Sequence, residues 1–221
     1  MKLAIVAATG GIGRQALEQA VAARHDVTAI VRNPRTLSAD VRIVTADLAA
    51  PEPAALESAF EGADAVLSGL GPRSVSETGI ASKGTHAIVH AMQATGVRRI
   101  VVVSAAPVST VPSPGRPKPP KRDPGEGFVM RNLLGPLTRV ALRKPYADLA
   151  LMEDVVRDSG LDWTVVRPPR LTDKPLTGTY RTAYGQNVRG GLLVSRADVA
   201  HLMLRVLGQP ETIKHAVAVA N

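Results

Sequence analysis

The residues best suited to chemistry stand near the start of the chain, in Ala7-Ala8-Thr9-Gly10-Gly11-Ile12-Gly13. A glycine-rich turn between a strand and a helix lets the backbone approach a phosphate closely, and the free amides and dipole of the helix stabilise the anion. In that setting Thr9, Gly10, Gly11, Ile12 and Gly13 read as the cradle of a dinucleotide pyrophosphate. A tight turn without a ligand is the bland alternative. The next apolar run ends in Val31-Arg32-Asn33-Pro34-Arg35. A site for NAD normally carries an Asp or Glu there, about 20 residues past the glycines, to accept the ribose 2′-hydroxyl. Here Arg32 replaces the acid, and Arg14 follows the last glycine. Two guanidinium groups beside one ribose would hold a 2′-phosphate through charge-assisted bonds. The expected cofactor is NADP, used as NADPH; the competing reading makes both arginines ordinary surface charges.

Other constellations carry less. His86 and His90 lie four apart on a predicted helix, but no third ligand is in view, so no metal is expected. No serine has the flanking glycines of a nucleophile elbow. The chain has no cysteine, which removes disulfides, thiolate metal sites and cysteine nucleophiles. Lys and Arg number 27 against 19 Asp and Glu, a net charge of +8 that invites a polyanionic partner. Only six residues are aromatic (Phe60, Phe128, Tyr146, Trp163, Tyr180 and Tyr184), and none interleaves with a basic run as a stacking groove requires. The densest basic stretch, Arg116 to Arg122, is Pro-rich and reads as a solvated loop. We therefore expect a small-molecule substrate, no nucleic-acid partner, and a monomer or homodimer. No apolar run approaches the roughly 20 residues of a membrane helix, and the N-terminus enters a strand pattern directly. A cytoplasmic protein without a membrane partner is expected.

The elements that must position these residues alternate in type. Apolar runs at Leu3–Ala7, Val27–Val31, Val41–Thr45, Ala63–Leu67, Ile100–Ser104, Trp163–Val166 and Ala216–Val219 predict strands, with a short extended segment at Leu192–Val194. Helical periodicity fills Ile12–Val21, Pro53–Phe60, Ile80–Thr95, Met130–Leu142, Tyr146–Ser159 and Arg196–Leu207. This rhythm predicts an α/β fold: a Rossmann-like, doubly wound, mostly parallel sheet flanked by helices, in one domain over residues 1–221. Seven prolines between Pro107 and Pro124 interrupt it. They predict a loop or lid at about 105–127, with substrate-site segments at about 128–195.

Beyond the glycine turn, the chain carries Val31-Arg32-Asn33-Pro34, Ala46-Asp47-Leu48 and Ala63-Asp64-Ala65-Val66-Leu67-Ser68-Gly69-Leu70-Gly71. Its last third carries Ser159-Gly160-Leu161-Asp162-Trp163-Thr164-Val165-Val166-Arg167-Pro168-Pro169, Pro175-Leu176-Thr177-Gly178 and Ser195-Arg196-Ala197-Asp198-Val199-Ala200. In these motifs the sequence resembles the atypical short-chain dehydrogenase/reductases, specifically the NAD(P)H-binding group of biliverdin-IX-beta/flavin reductases and NmrA-like proteins. Their GxxGxxG pattern is met by Gly10 and Gly13, with Ala7 in place of the first glycine. The resemblance spans nearly the whole chain and is poorest in the Pro-rich insert.

The resemblance implies that Asp47 and Leu48 rim the adenine, that Ser68, Gly69, Leu70 and Gly71 flank the middle of the cofactor, and that Ser104 stands at the nicotinamide end; Pro168 is a further expected cofactor contact. Ser68 and Ser104 could equally satisfy strand-end amides, and Asp47 could cap a helix. Catalytic short-chain dehydrogenases pair a Tyr with a Lys four residues on, whereas Tyr146, Tyr180 and Tyr184 are followed at that spacing by Ala150, Tyr184 and Val188. Ser104 and Tyr146 remain the catalytic candidates, Tyr146 also reading as a half-buried anchor. Arg170 is the candidate substrate anchor, although similar flavin reductases carry His there. The expected function is NADPH-dependent reduction of a flavin, quinone, enone or carbonyl compound by hydride transfer. The alternatives are an NmrA-like NADP sensor without turnover and an NAD(P)-dependent epimerase or dehydratase.

Overall fold

Leu3, Ala4, Ile5 and Val6 are all buried, as a strand covered on both faces must be. A computed structural model describes residues 1–34, 37, 40–72, 77–125 and 142–221. The main strands are β1 (Lys2–Val6), β2 (Asp26–Val31), β3 (Arg42–Thr45), β4 (Ala65–Ser68), β5 (Arg99–Val103) and β6 (Asp162–Arg167). β7 (Arg170–Thr172), β8 (Arg181–Tyr184), β9 (Leu193–Ser195) and β10 (His215–Ala220) follow. The main sheet has the order β3-β2-β1-β4-β5-β6-β10-β8, with β7 and β9 forming a separate parallel pair. Every neighbouring pair in the main sheet is parallel except β10 with β8. The chain winds outward through β2 and β3, then returns to lay β4 against the other side of β1. The connections after β1 and β4 thus leave in opposite directions, opening a crevice at their carboxyl ends.

The helices are α1 (Gly11–Ala22), α2 (Pro53–Phe60), α3 (Ile80–Thr95), α4 (Arg143–Asp158) and α5 (Arg196–Arg205). Strand alternation splits the core in two. Ala4, Val6, Ile100 and Val102 face Leu56, Phe60, Ile88, Met92, Met152 and Val156 of α2, α3 and α4. Leu3, Ile5, Val101 and Val103 face Leu17, Ala20, Leu202 and Met203 of α1 and α5. α3 stops where Gly96 turns left-handed, φ 75°, a conformation that glycine adopts without a Cβ clash. Among the described residues no helix is long and apolar enough to cross a membrane.

The sequence reading needs one correction. It assigns no strand between Val166 and Leu192, yet β7 and β8 lie there. β7 is only three residues long, and β8 is exposed at three of its four positions, so neither gives a periodic apolar signal. The expected helix at Met130–Leu142 lies outside the described residues except for Leu142, as do positions 126–141 of the expected lid and substrate segments. The rest of the Pro-rich insert is tied down. Asp154 of α4 accepts from the Ser113 hydroxyl at 3.0 Å and the Gly115 amide at 2.9 Å. Asp123 accepts from the amides of Gly125 and Asn187, each at 2.8 Å, joining the insert to the β8–β9 connection.

Candidate active site

The turn after β1 is built by close approach. Ala7 takes a left-handed conformation, φ 57°, and its carbonyl accepts from the Gly10 amide at 2.8 Å. A Cβ on Gly13 would lie 2.2 Å from the Ala7 carbonyl oxygen, and one on Gly69 would lie 2.9 Å from the Gly13 nitrogen. Gly13 and Gly69 therefore let α1 press between the ends of β1 and β4. No described side chain caps α1, whose first turn holds no acid. The amides at Gly11 and Ile12 have no carbonyl partner within the helix and are left for an anion.

A cleft of about 480 Å³ runs across this turn. Thr9, Gly10, Gly11 and Ile12 form its floor; Arg32, Asp47, Leu48, Gly69, Leu70 and Gly71 line one end, and Ser104 lies at the other. At the first end α3 comes close through Gly84, where a Cβ would lie 2.5 Å from Leu70 Cδ2 and 3.2 Å from Leu48 Cβ. Leu48, Leu70 and Ile80 thus make an apolar wall fit for a flat base. Asp47 is exposed and accepts the Ala49 amide at 3.0 Å, a local turn rather than a helix cap. Arg32 Nη1 lies 3.3 Å from Glu77 Oε1 across the mouth, about half exposed. The first turn of α3 is held from α4 by buried Asp148, which accepts from the amides of Gly79, Ala81 and Ser82 at 2.9 to 3.1 Å.

Ser104 follows β5, and its amide donates to Val166 O at 2.8 Å. Its hydroxyl donates to Glu153 Oε1 at 2.7 Å. Glu153, on α4, is wholly buried and also receives Arg167 Nε at 2.8 Å, Arg167 Nη2, and Arg157 Nη2. Burial pushes its carboxyl up, but the hydrogen bonds and charge of Arg167, the charge of Arg157 and the Ser104 hydroxyl together hold it below the usual carboxylate range. The carboxylate stays ionised and can only accept. Ser104 therefore turns its proton inward and offers lone pairs to the cleft.

Several expected site residues stand elsewhere. Gly13 serves packing. Ser68 is buried, with its hydroxyl accepting the Leu70 amide at 3.4 Å, the strand-end role. The carbonyl of Pro168 accepts the Ala106 amide at 2.8 Å and anchors the start of the insert. Tyr146 packs against the core under α4 and does not line the cleft, although Leu149 does. Burial pushes the Tyr146 phenol up. Arg170 is exposed and off the cleft, whereas Leu171 lines it. Adjacent strand residues point to opposite faces. Arg14 pairs with Glu18 at 3.2 Å and lines a second hollow, of about 380 Å³, outside the glycine turn. His86 and His90 are exposed, and no metal-binding group of residues occurs among the described ones.

Two residues that the sequence reading did not single out belong to the site. Glu153 carries no local signal, being an acid on an ordinary amphipathic helix. Arg196 stands in a motif that did: Ser195 accepts the Asp198 amide at 2.9 Å, capping α5 and fixing Arg196 at its first position. Arg196 lines both the cleft and the second hollow.

The residues fit a nicotinamide dinucleotide: glycines where a Cβ would intrude, uncapped amides at mid-cleft and an apolar wall at one end. The comparisons agree. The oxidoreductase ylbE from Lactococcus lactis is similar over 100% of this chain and 91% of its own, at 19% identity and a TM-score of 0.79. ChuY, an anaerobillin reductase from Escherichia coli O157:H7, is similar over 100% and 97%, at 20% identity and a TM-score of 0.77. A candidate NADH-flavin reductase from Streptococcus pneumoniae TIGR4 is similar over 100% and 99%, at 25% identity and a TM-score of 0.76. A family model described as NAD(P)H-binding matches residues 7–210. With the cradle and the matched length in agreement, the chain belongs to the NAD(P)H-binding family.

Proposed function

We propose that the chain is an NADPH-dependent oxidoreductase of the atypical short-chain dehydrogenase/reductase type, acting on a small flavin, quinone, enone or carbonyl acceptor. The observation that carries this reading is the course of the cleft. It passes from Arg32, with no acid at the end of β2, over the uncapped amides of α1, to Ser104 past β5. Arg32 offers a guanidinium to a 2′-phosphate at the adenosine end, where an NAD site would place a carboxylate. Glu77 is its partner in the absence of that phosphate. The reduced nicotinamide supplies the hydride when bound. Ser104, its proton committed to Glu153, accepts a hydrogen bond from a donor such as a carboxamide NH2 and so orients what lies at that end. The proton that completes reduction is then left to water. The hydride acceptor comes from the chemistry of the neighbours named above, together with alignment as the main requirement of the step.

A second reading, a dinucleotide sensor without turnover, is favoured by that same inward Ser104 proton and by the absence of a Lys four residues after Tyr146. NADPH oxidation followed by absorbance against flavins, quinones and enones separates the two. Turnover of any acceptor supports the reductase. Tight binding with no oxidation across the panel overturns it in favour of the sensor. For the cofactor, Arg32→Ala is expected to weaken NADPH by about tenfold or more with NADH little changed; a wild-type protein with no preference for NADPH refutes the assignment.

A further inference from the structure

Arg196 lies across the glycine turn from outside. Its Cδ and Nε stand 2.7 Å from the point where Gly11 would carry a Cβ, so the side chain rests directly on that glycine. It forms part of the wall between the cleft and the second hollow. Its Nη1 meets Asp173 Oδ1 at 2.6 Å; the Asp173 side chain is 88% exposed and that of Arg196 only 31%. A half-sheltered cation thus sits beside the uncapped first turn of α1, restrained by a partner that water already solvates well. An exposed ion pair of this kind is weak, and a phosphate offers a stronger, bidentate partner for a guanidinium.

We propose that Arg196 is the cationic contact for the diphosphate of the bound dinucleotide, with Asp173 as its resting counterion. This rests on the dinucleotide reading above and adds a residue from the far end of the chain to the glycine cradle. On binding, the guanidinium exchanges the Asp173 carboxylate for diphosphate oxygens while its stem stays on Gly11. The contact is common to NADH and NADPH, so it sets affinity rather than the choice between them. Gly11 acquires a second purpose: besides freeing the backbone, it leaves room for the Arg196 stem.

Dissociation constants measured by calorimetry or fluorescence test the proposal, with NADPH, NADH, ADP and 2′-AMP as probes. Arg196→Gln is expected to weaken NADPH, NADH and ADP alike by about tenfold to a hundredfold, and to leave 2′-AMP, which has no diphosphate, unchanged. Asp173→Asn is expected to tighten the same three by about twofold to fivefold, since it removes the competing carboxylate. A purely structural salt bridge predicts no tightening. Unchanged NADPH affinity in Arg196→Gln, equal loss of 2′-AMP, or unchanged or weaker binding in Asp173→Asn overturns the proposal. Should Arg196→Gln not fold, Asp173→Asn decides alone. A wild-type chain that binds neither coenzyme defeats the dinucleotide reading itself, a result distinct from binding that ignores Arg196.

Discussion

Replacing Glu153 by Gln keeps the shape of the side chain and removes one charge from a buried set. Arg167 is then left 4% exposed without the carboxylate that receives two of its nitrogens. Removing one member of a buried ion pair typically destabilises by about 3–5 kcal/mol, because the remaining charge is uncompensated. For a domain of this length each kcal/mol moves the melting temperature by about 2–4 °C, so a fall of roughly 6–20 °C is expected. Replacing both partners by apolar groups, Glu153→Leu with Arg167→Met, should restore much of the loss, since a buried pair exchanged for apolar groups is often neutral. The pH dependence follows from the depressed carboxyl. Its contribution to stability is present above the unfolded-state value, about 4, and is lost as pH falls through the lower folded value. Wild type should therefore lose stability in acid more steeply than Glu153→Gln. Differential scanning calorimetry from pH 3 to pH 7 makes both comparisons. A melting temperature within about 2 °C of wild type at neutral pH, or identical acid profiles, would refute the reasoning.

Four further variants have expected outcomes. Ala7→Gly relieves a left-handed residue, a strain of about 1–2 kcal/mol offset in part by the flexibility of glycine. The variant should melt higher by a few degrees; a lower melting temperature contradicts the strain. Gly13→Ala drives a Cβ to 2.2 Å from the Ala7 carbonyl oxygen, and the atoms it meets, of Ala7 and Ala8, are backbone that cannot swing aside. A loss of about 1–3 kcal/mol should appear in chemical denaturation together with weaker coenzyme binding. Gly71→Ala, with no atom of the described residues within 4 Å of its Cβ, should remain within about 0.5 kcal/mol of wild type; equal loss in the two variants sinks the close-approach argument. Asp148→Ala removes the acceptor for three amides at the start of α3. It should cost about 1–3 kcal/mol and raise hydrogen exchange at Gly79, Ala81 and Ser82, which unchanged protection would contradict.

Local pattern carried the central parallel strands because they are buried on both faces and so are continuously apolar, as in Ile100–Val103. It failed at β8, an exposed edge strand of mixed residues held by its pairing with β10. The glycine turn was legible because its geometry depends on consecutive residues. Arg170 stands off the cleft and Leu171 lines it, since a residue's type says nothing of which face of β7 it occupies. Tyr146 was drawn toward chemistry by its phenol alone, while the helix turned it into the core.

What the sequence determined by itself is the alternation of strand and helix, the cradle after β1 and the basic residue at the end of β2, each written within a few neighbouring positions. Only the tertiary structure decided that Glu153 takes the proton of Ser104 and that Arg196 lies across Gly11. Those contacts join residues distant in the chain. Their geometry comes from the packing of whole elements and the direction of single side chains, which no local periodicity encodes.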